Sequence, residues 1–299
     1  MLQFLWIGFA SLAIAGCKPA IQPTSTTPSF RSGERAVSDS LVQFSLVAAL
    51  ATGDYAGGTP LSQMLSSGDF GVGTFSRLDG EMILLDGKVY QALADGKVRV
   101  ADLDDTTPFA AVKFFREDGR LDNLAAASLD DLDAQLDRQL PRRNLPCAIR
   151  VEADCQRLTL RSVPPQSPPF LPLVEVIKQQ VTHDYRNIRG TLVGLRCPHW
   201  VGTLNVAGYH WHFLSEDRAL GGHVLNCEFT GGTLRFDESA SLVIHLPNTR
   251  EFEQFDAEGI KQQDIDRIER QRGDLMIKST RPRDPLPIPP STAAGRSDR

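Results

Sequence analysis

The chain is poor in cysteine and lacks the motifs that usually announce a nucleotide or a nucleic acid. Five cysteines in 299 residues do not make a disulfide scaffold. None has zinc-finger spacing, so Cys147, Cys155, Cys197 and Cys227 are expected to be buried free thiols. No Gly-x-Gly-x-x-Gly precedes a helical stretch and no Walker-type loop occurs, so a nucleotide cofactor is not indicated. The net charge is −5 and no basic stripe alternates with aromatics, which argues against a nucleic-acid partner. Hydrophobic residues at 41% and charged residues at 23% are ordinary globular proportions.

The two ends differ from the body. Residues 1–16 are almost wholly apolar, too short for a comfortable membrane span and suited to the apolar region of an export signal. The ending Ile14-Ala15-Gly16-Cys17 resembles a bacterial lipoprotein signal, in which Cys17 is lipidated. It departs from that pattern in having no Lys or Arg before Cys17. The reading is an exported, membrane-anchored lipoprotein; a cytoplasmic protein is the alternative if the assigned start is wrong. Residues 17–36, rich in Pro, Ser and Thr, read as a flexible tether, and residues 276–299 as a Pro-rich tail.

Between the ends, strands dominate. Apolar residues at helical spacing predict a helix over 37–51, and Gly-rich 53–73 reads as a loop. Strands are expected at 74–77, 81–85 and 88–93, separated by Leu78-Asp79-Gly80 and Asp86-Gly87; Asp-Gly between apolar runs is a hairpin signal. Strands at 98–100 and 109–115 follow. Leu121, Leu124, Leu129, Leu132, Leu136 and Leu140 predict one helix over 121–140. Strands are expected at 147–151 and 157–163, a Pro-rich break at 163–172 and a helix at 171–180. The remainder predicts strands at 189–195, 202–207, 209–214, 223–229, 232–236 and 242–246, then one or two closing helices over 252–271. The order favours a mixed α/β (α+β) fold with two domains of mixed sheets and a few packed helices. The expected division is an N-terminal half, 37–165, and a C-terminal metal-binding half, 166–275.

The most informative stretch is 208–224, GYHWHFLSEDRALGGHV, with three of the six histidines. His210 and His212 are two apart, and on a strand such residues share a face. If the run from His223 pairs back as a hairpin, three neutral imidazoles meet. Three such ligands with an open position describe a catalytic zinc site. Unmetallated polar histidines remain the plainer reading of the spacing.

Other segments carry a family likeness. Residues 68–90, GDFGVGTFSRLDGEMILLDGKVY, Ala148-Ile149-Arg150, Arg189-Gly190-Thr191-Leu192-Val193-Gly194 and Leu246-Pro247-Asn248-Thr249 together resemble the α-acetolactate decarboxylase family over about 41–271. The resemblance implies a two-domain mixed α/β fold, a homodimer, and a zinc carboxy-lyase converting the small molecule (S)-2-acetolactate to (R)-acetoin and CO₂ through a zinc-stabilised enediolate. It implies His210, His212 and His223 as ligands of Zn²⁺, and Glu81, Glu269 and Arg161 as catalytic residues. Thr74, beside the Glu81 motif, is a candidate substrate contact.

Chemistry makes that set sensible. Decarboxylation of a 2-hydroxy-3-oxo acid leaves electrons that need a sink, which a metal on the hydroxyl and ketone oxygens supplies. Two carboxyls with shifted pKa values can manage the hydroxyl and carbon protons, and an arginine can hold the carboxylate. Two other readings compete. A cupin-like metalloenzyme would use Glu216 and His245 in place of His223; a non-catalytic exported lipoprotein would keep only the fold.

Overall fold

The computed structural model describes residues 39–140, 142–256 and 260–270. Cys17, the expected signal and tether, and the C-terminal tail lie outside the described residues. In chain order the elements are β1 (Ser40–Phe44), α1 (Val47–Thr52), β2 (Thr59–Pro60), α2 (Leu61–Met64), β3 (Phe70–Thr74), β4 (Glu81–Leu85), β5 (Lys88–Ala92), β6 (Val98–Val100), β7 (Thr106–Thr107), β8 (Phe109–Lys113), β9 (Gly119–Ala126), α3 (Leu129–Gln139), β10 (Cys147–Ser162), α4 (Leu173–Val176), β11 (Val181–Cys197), β12 (Gly208–Ser215), β13 (Gly221–Glu238), β14 (Ser241–His245), α5 (Arg250–Glu253) and α6 (Gln262–Arg270).

Among the described residues, seven strands form one sheet in the order β14-β1-β8-β3-β4-β5-β6. Its hairpins follow the turn chemistry of the sequence. Asp86 and Gly87 both take positive φ, at 53° and 74°, as a two-residue turn between twisted strands requires. The second sheet runs β10-β11-β12-β13-β9, and β10 pairs with β13 as well as with β11. The long strands β10 to β13 therefore close into a four-strand ring, with β9 on its flank.

The two sheets share an apolar core. Phe70, Val72, Ile83 and Leu85 of the first pack with Ala148, Val193, Leu195 and Leu214 of the second. A separate cluster joins Leu129, Leu132 and Leu136 of α3 to Ile149, Val151, Trp211, Phe213 and Phe229. Alternation along β12 follows: Trp211 and Phe213 serve one cluster, and Leu214 the other. Gly194 is needed here. A Cβ on it would lie 2.2 Å from the Trp211 ring, so only glycine lets the indole cross β11.

Several elements differ from the sequence expectation. Residues 40–44 form a strand, not the start of a helix. The strand is buried throughout between β14 and β8, so its apolar run lacks the polar alternation of a half-exposed strand. The helix expected over 121–140 begins only at Leu129, where the Ser128 hydroxyl caps it by accepting from the Asp131 amide; Leu121 and Leu124 belong to β9. Residues 202–207 are a turn segment, and the expected helix at 171–180 is short α4 followed by a 3-10 turn. Runs split at 152–156 and 230–231 are continuous strands, β10 and β13. Sheet membership crosses residue 165 in both directions: β14 joins the first sheet, and β9 and β10 the second. The four cysteines after Cys17 are buried free thiols.

Candidate metal centre

The hairpin register brings the histidines together. His212 lies directly opposite His223 across β12 and β13, and His210 precedes His212 by two residues on the same face. One nitrogen from each ring lies within 4.8 Å of the others. All three rings are buried: His212 is fully inaccessible, His223 is 3% exposed and His210 8%.

Hydrogen bonds on the far side of two rings fix which nitrogen faces inward. His212 Nδ1 donates to the Met82 carbonyl at 2.7 Å, which leaves Nε2 as the inward lone pair. His223 uses Nε2 toward the Glu269 carbonyl at 3.3 Å, so its Nδ1 faces the cluster. His210 Nε2 lies 3.2 Å from His212 Nε2. A backbone carbonyl behind a histidine is the usual way to orient a metal-binding imidazole. Burial pushes His210 down to about 3 and holds His212 and His223 well below 6.5, with the Arg161 cation adding to the effect in all three. Neutral imidazoles whose nitrogens converge in this way suit a cation. The residues present therefore fit a divalent metal.

Two carboxyls and a guanidinium surround the rings. Glu81 opens β4, paired with Thr74, and its Oε2 lies 3.5 Å from His212 Nε2. Burial raises its pKa to about 7, with Arg161 opposing and Glu269 reinforcing the rise. Glu269 projects from α6, which Ile265 and Ile268 anchor in a cluster with Val47, Leu50, Leu173 and Ile177. Glu269 Oε2 lies 3.7 Å from His210 Nε2, 3.8 Å from His223 Nδ1 and 3.8 Å from Arg161 Nη2, and it has no hydrogen-bond partner. Its pKa is raised by burial, against Arg161. Arg161 is 5% exposed, sits opposite His223 across β10 and β13, and has a buried Nε without a hydrogen-bond partner. Its Nη1 donates to Gln180 Oε1 at 3.3 Å.

These groups line a cavity with Thr74, Val47, Leu50, Phe109, Val163, Leu173, Ile177 and Ile268. Thr74 faces it, while its hydroxyl donates to the Gly80 carbonyl at 2.8 Å and braces the turn before Glu81. The fold thus collects every candidate among the described residues: Glu81, Arg161, His210, His212, His223, Glu269 and Thr74. It does not bring in the cupin-type ligands. Glu216 is paired with Arg189 at the surface, and His245 stacks on Phe44 in the other sheet. Sequence reasoning missed Met82, Gln180 and the apolar wall. The Met82 contact is made by a backbone carbonyl, which no side-chain pattern reveals. Gln180 is placed only by the pairing of β10 with β11.

Comparison with known proteins identifies the family. The family model for alpha-acetolactate decarboxylase matches residues 41–258. The chain is 41% identical over 219 residues to the alpha-acetolactate decarboxylase of Raoultella terrigena, spanning 73% of this chain and 85% of that protein. It is 39% identical over 233 residues to that of Methanosarcina mazei, spanning 78% and 81%. The crystal structure of alpha-acetolactate decarboxylase from Bacillus subtilis strain 168 superposes with a TM-score of 0.74 at 33% identity, covering 77% of this chain and 99% of that one. The class these matches define is a carbon–carbon lyase that removes a carboxyl group, built here on one mixed and one antiparallel sheet. The chain belongs to the alpha-acetolactate decarboxylase family.

Proposed function

We propose that this protein decarboxylates 2-acetolactate to acetoin and CO₂ in a metal-dependent reaction, with Zn²⁺ as the ion. The observation that carries the proposal is convergence. Glu81 from β4, Arg161 from β10, His210 from β12, His223 from β13 and Glu269 from α6 line one cavity, and His212 of β12 completes the histidine cluster beside it. The relatives named above carry that activity in their names. Held by His210, His212 and His223, a divalent ion supplies Lewis acidity for the negative charge that loss of CO₂ leaves on the substrate.

The chain's own residues supply the rest. Arg161 binds the substrate carboxylate: it is the buried cation of the cavity, and its Nε is unpartnered. Gln180 orients the guanidinium from behind. Glu81, raised to about 7, is poised near neutrality to take the hydroxyl proton or deliver one to carbon. Glu269 stands on the other side of the histidines and performs the complementary transfer. The enediolate left by CO₂ is thereby protonated from one fixed direction, giving one acetoin enantiomer. The apolar wall from α1, α4 and α6 excludes water while that anion exists.

Export with lipidation at Cys17, and a homodimer, are the remaining parts of this reading; mass spectrometry of the purified N-terminus checks the first. The activity is tested by incubating the protein with racemic acetolactate and measuring acetoin with and without a chelator. Acetoin that appears only when metal is present is expected. Its absence under all metal conditions overturns the assignment.

A further inference from the structure

His223 borders two cavities, and His210 borders the first of them. The first contains Arg161 and Glu81 behind an apolar wall. The second is lined by Asp130 and Asp133 of α3, Tyr209 and Trp211 of β12, Leu129, Val224 and Leu225, and it shares His223 and Glu269 with the first. His223 and Glu269 therefore form the partition between them.

The second cavity has a structural cause. Strands β12 and β13 pair through only three residue pairs, Leu214 with Gly221, Phe213 with Gly222 and His212 with His223. Beyond His223, β13 keeps its pairing with β10 on the opposite edge, Val224 with Leu160 and Asn226 with Thr159, but has no further partner on β12. Tyr209 and Trp211 continue beside β11. The ring is thus unpaired along the seam just behind the histidines, and α3 and α6 contribute the residues that line the gap.

The two openings differ in charge. On the first side the Arg161 cation accompanies Glu81 and Glu269, and most of the remaining lining is apolar. On the second side the flanking charges are those of Asp130, which is exposed, and Asp133, which is half-buried. Asp133 also accepts from Trp211 Nε1 at 3.0 Å, which ties the carboxylate to the strand carrying His210 and His212. At the inner end stands the Glu269 carboxylate, whose side chain is 9% exposed and whose Oε2 lacks a hydrogen-bond partner. A path that begins at two aspartates and ends at a buried carboxylate, 3.7–3.8 Å from two of the imidazoles and from Arg161, favours a hydrated dication. It disfavours an anion.

We propose that divalent metal reaches His223 through the seam between β12 and β13, past Asp130 and Asp133, while the anionic substrate uses the first cavity. The two cargoes of opposite charge then approach the histidines from opposite sides. The inference rests on the reading of the three histidines as a metal site.

The test is the rate of Co²⁺ uptake by metal-stripped protein, followed by stopped-flow absorption. Wild type is compared with Asp130→Lys and with Asp130→Lys/Asp133→Asn. Asn at 133 keeps an acceptor for the Trp211 indole. Removing favourable steering slows cation association by about tenfold or more and flattens its dependence on ionic strength. The equilibrium Co²⁺ affinity and the turnover of preloaded enzyme stay unchanged. Uptake as fast as wild type in both variants overturns the route while leaving the metal site intact. A fall in affinity equal to the fall in rate also overturns it, because the aspartates would then act on the bound state. No Co²⁺ binding by the wild type overturns the metal site itself. The single substitution at exposed Asp130 keeps the test decisive if the double variant does not fold.

Discussion

His223 Nε2 meets the backbone carbonyl of Glu269 at 3.3 Å. One residue of α6 thereby orients a candidate ligand with its main chain and offers a carboxylate to the same site with its side chain. In the proposed reaction, ligand geometry and proton transfer both depend on the docking of a nine-residue helix.

Undocking that helix is expected to damage metal binding as well as turnover. Ile265 and Ile268 are 0% and 3% exposed, and Asp at either position places a charge in the apolar cluster. Metal affinity measured by titration calorimetry is expected to fall about 10- to 100-fold, the usual cost of losing the partner behind a liganding histidine. Lost turnover with unchanged affinity would show that His223 does not need this carbonyl.

The ligand set is tested by alanine substitution. His210→Ala, His212→Ala and His223→Ala should each yield protein without bound metal after dialysis. Glu216→Ala and His245→Ala should retain it, since those residues lie against Arg189 and Phe44. Elemental analysis of the purified variants decides the matter. Metal lost from His245→Ala but kept by His223→Ala would restore the cupin arrangement.

Glu81→Gln should keep its metal and lose turnover by about 10²- to 10⁴-fold, the range expected for a positioned proton-transfer group. Retained turnover would remove Glu81 from the reaction.

The same substitution carries a pH signature in metal-free protein. Burial raises Glu81 from 4.5 to about 7, so below pH 4.5 folded and unfolded chains both hold its proton. Between 4.5 and 7 the unfolded chain releases that proton and the folded chain does not. The stability associated with Glu81 is therefore full at low pH and lost as pH rises toward 7. Glu81→Gln should raise the Tm of the metal-free protein most at pH 7.5 and least at pH 4.5. The difference amounts to about 3 kcal/mol at most. A shift independent of pH would contradict the burial of an ionisable group there.

Much of the site was legible because its spacing survives without knowledge of the fold. The two-residue interval between His210 and His212 fixes a shared strand face. The polar turn between Ser215 and Gly221 returns the chain toward them, and Asp86-Gly87 sets the hairpin of β4 and β5 that begins at Glu81. Glu269 and Arg161 were reached only through family resemblance, because a charged helix and a strand arginine have common surface explanations. The fold was misread where burial erased periodicity. Residues 40–44 are covered on both faces, and Leu121 and Leu124 keep an interval that suits a helix although they lie on β9. Closure of β10 onto β13, and the seam it leaves beside β12, depend on pairings between residues as far apart as Cys147 and Glu238, which local pattern does not encode.

In the proposed reaction, three histidines hold the one metal on which acetoin formation depends. Protein stripped of metal is titrated with Zn²⁺ while acetoin release from acetolactate is followed. Activity should be absent at the start, rise linearly, and break at about one ion per chain, as expected for a single three-histidine site. Activity in the stripped protein, or restoration with no break at that ratio, would contradict the account.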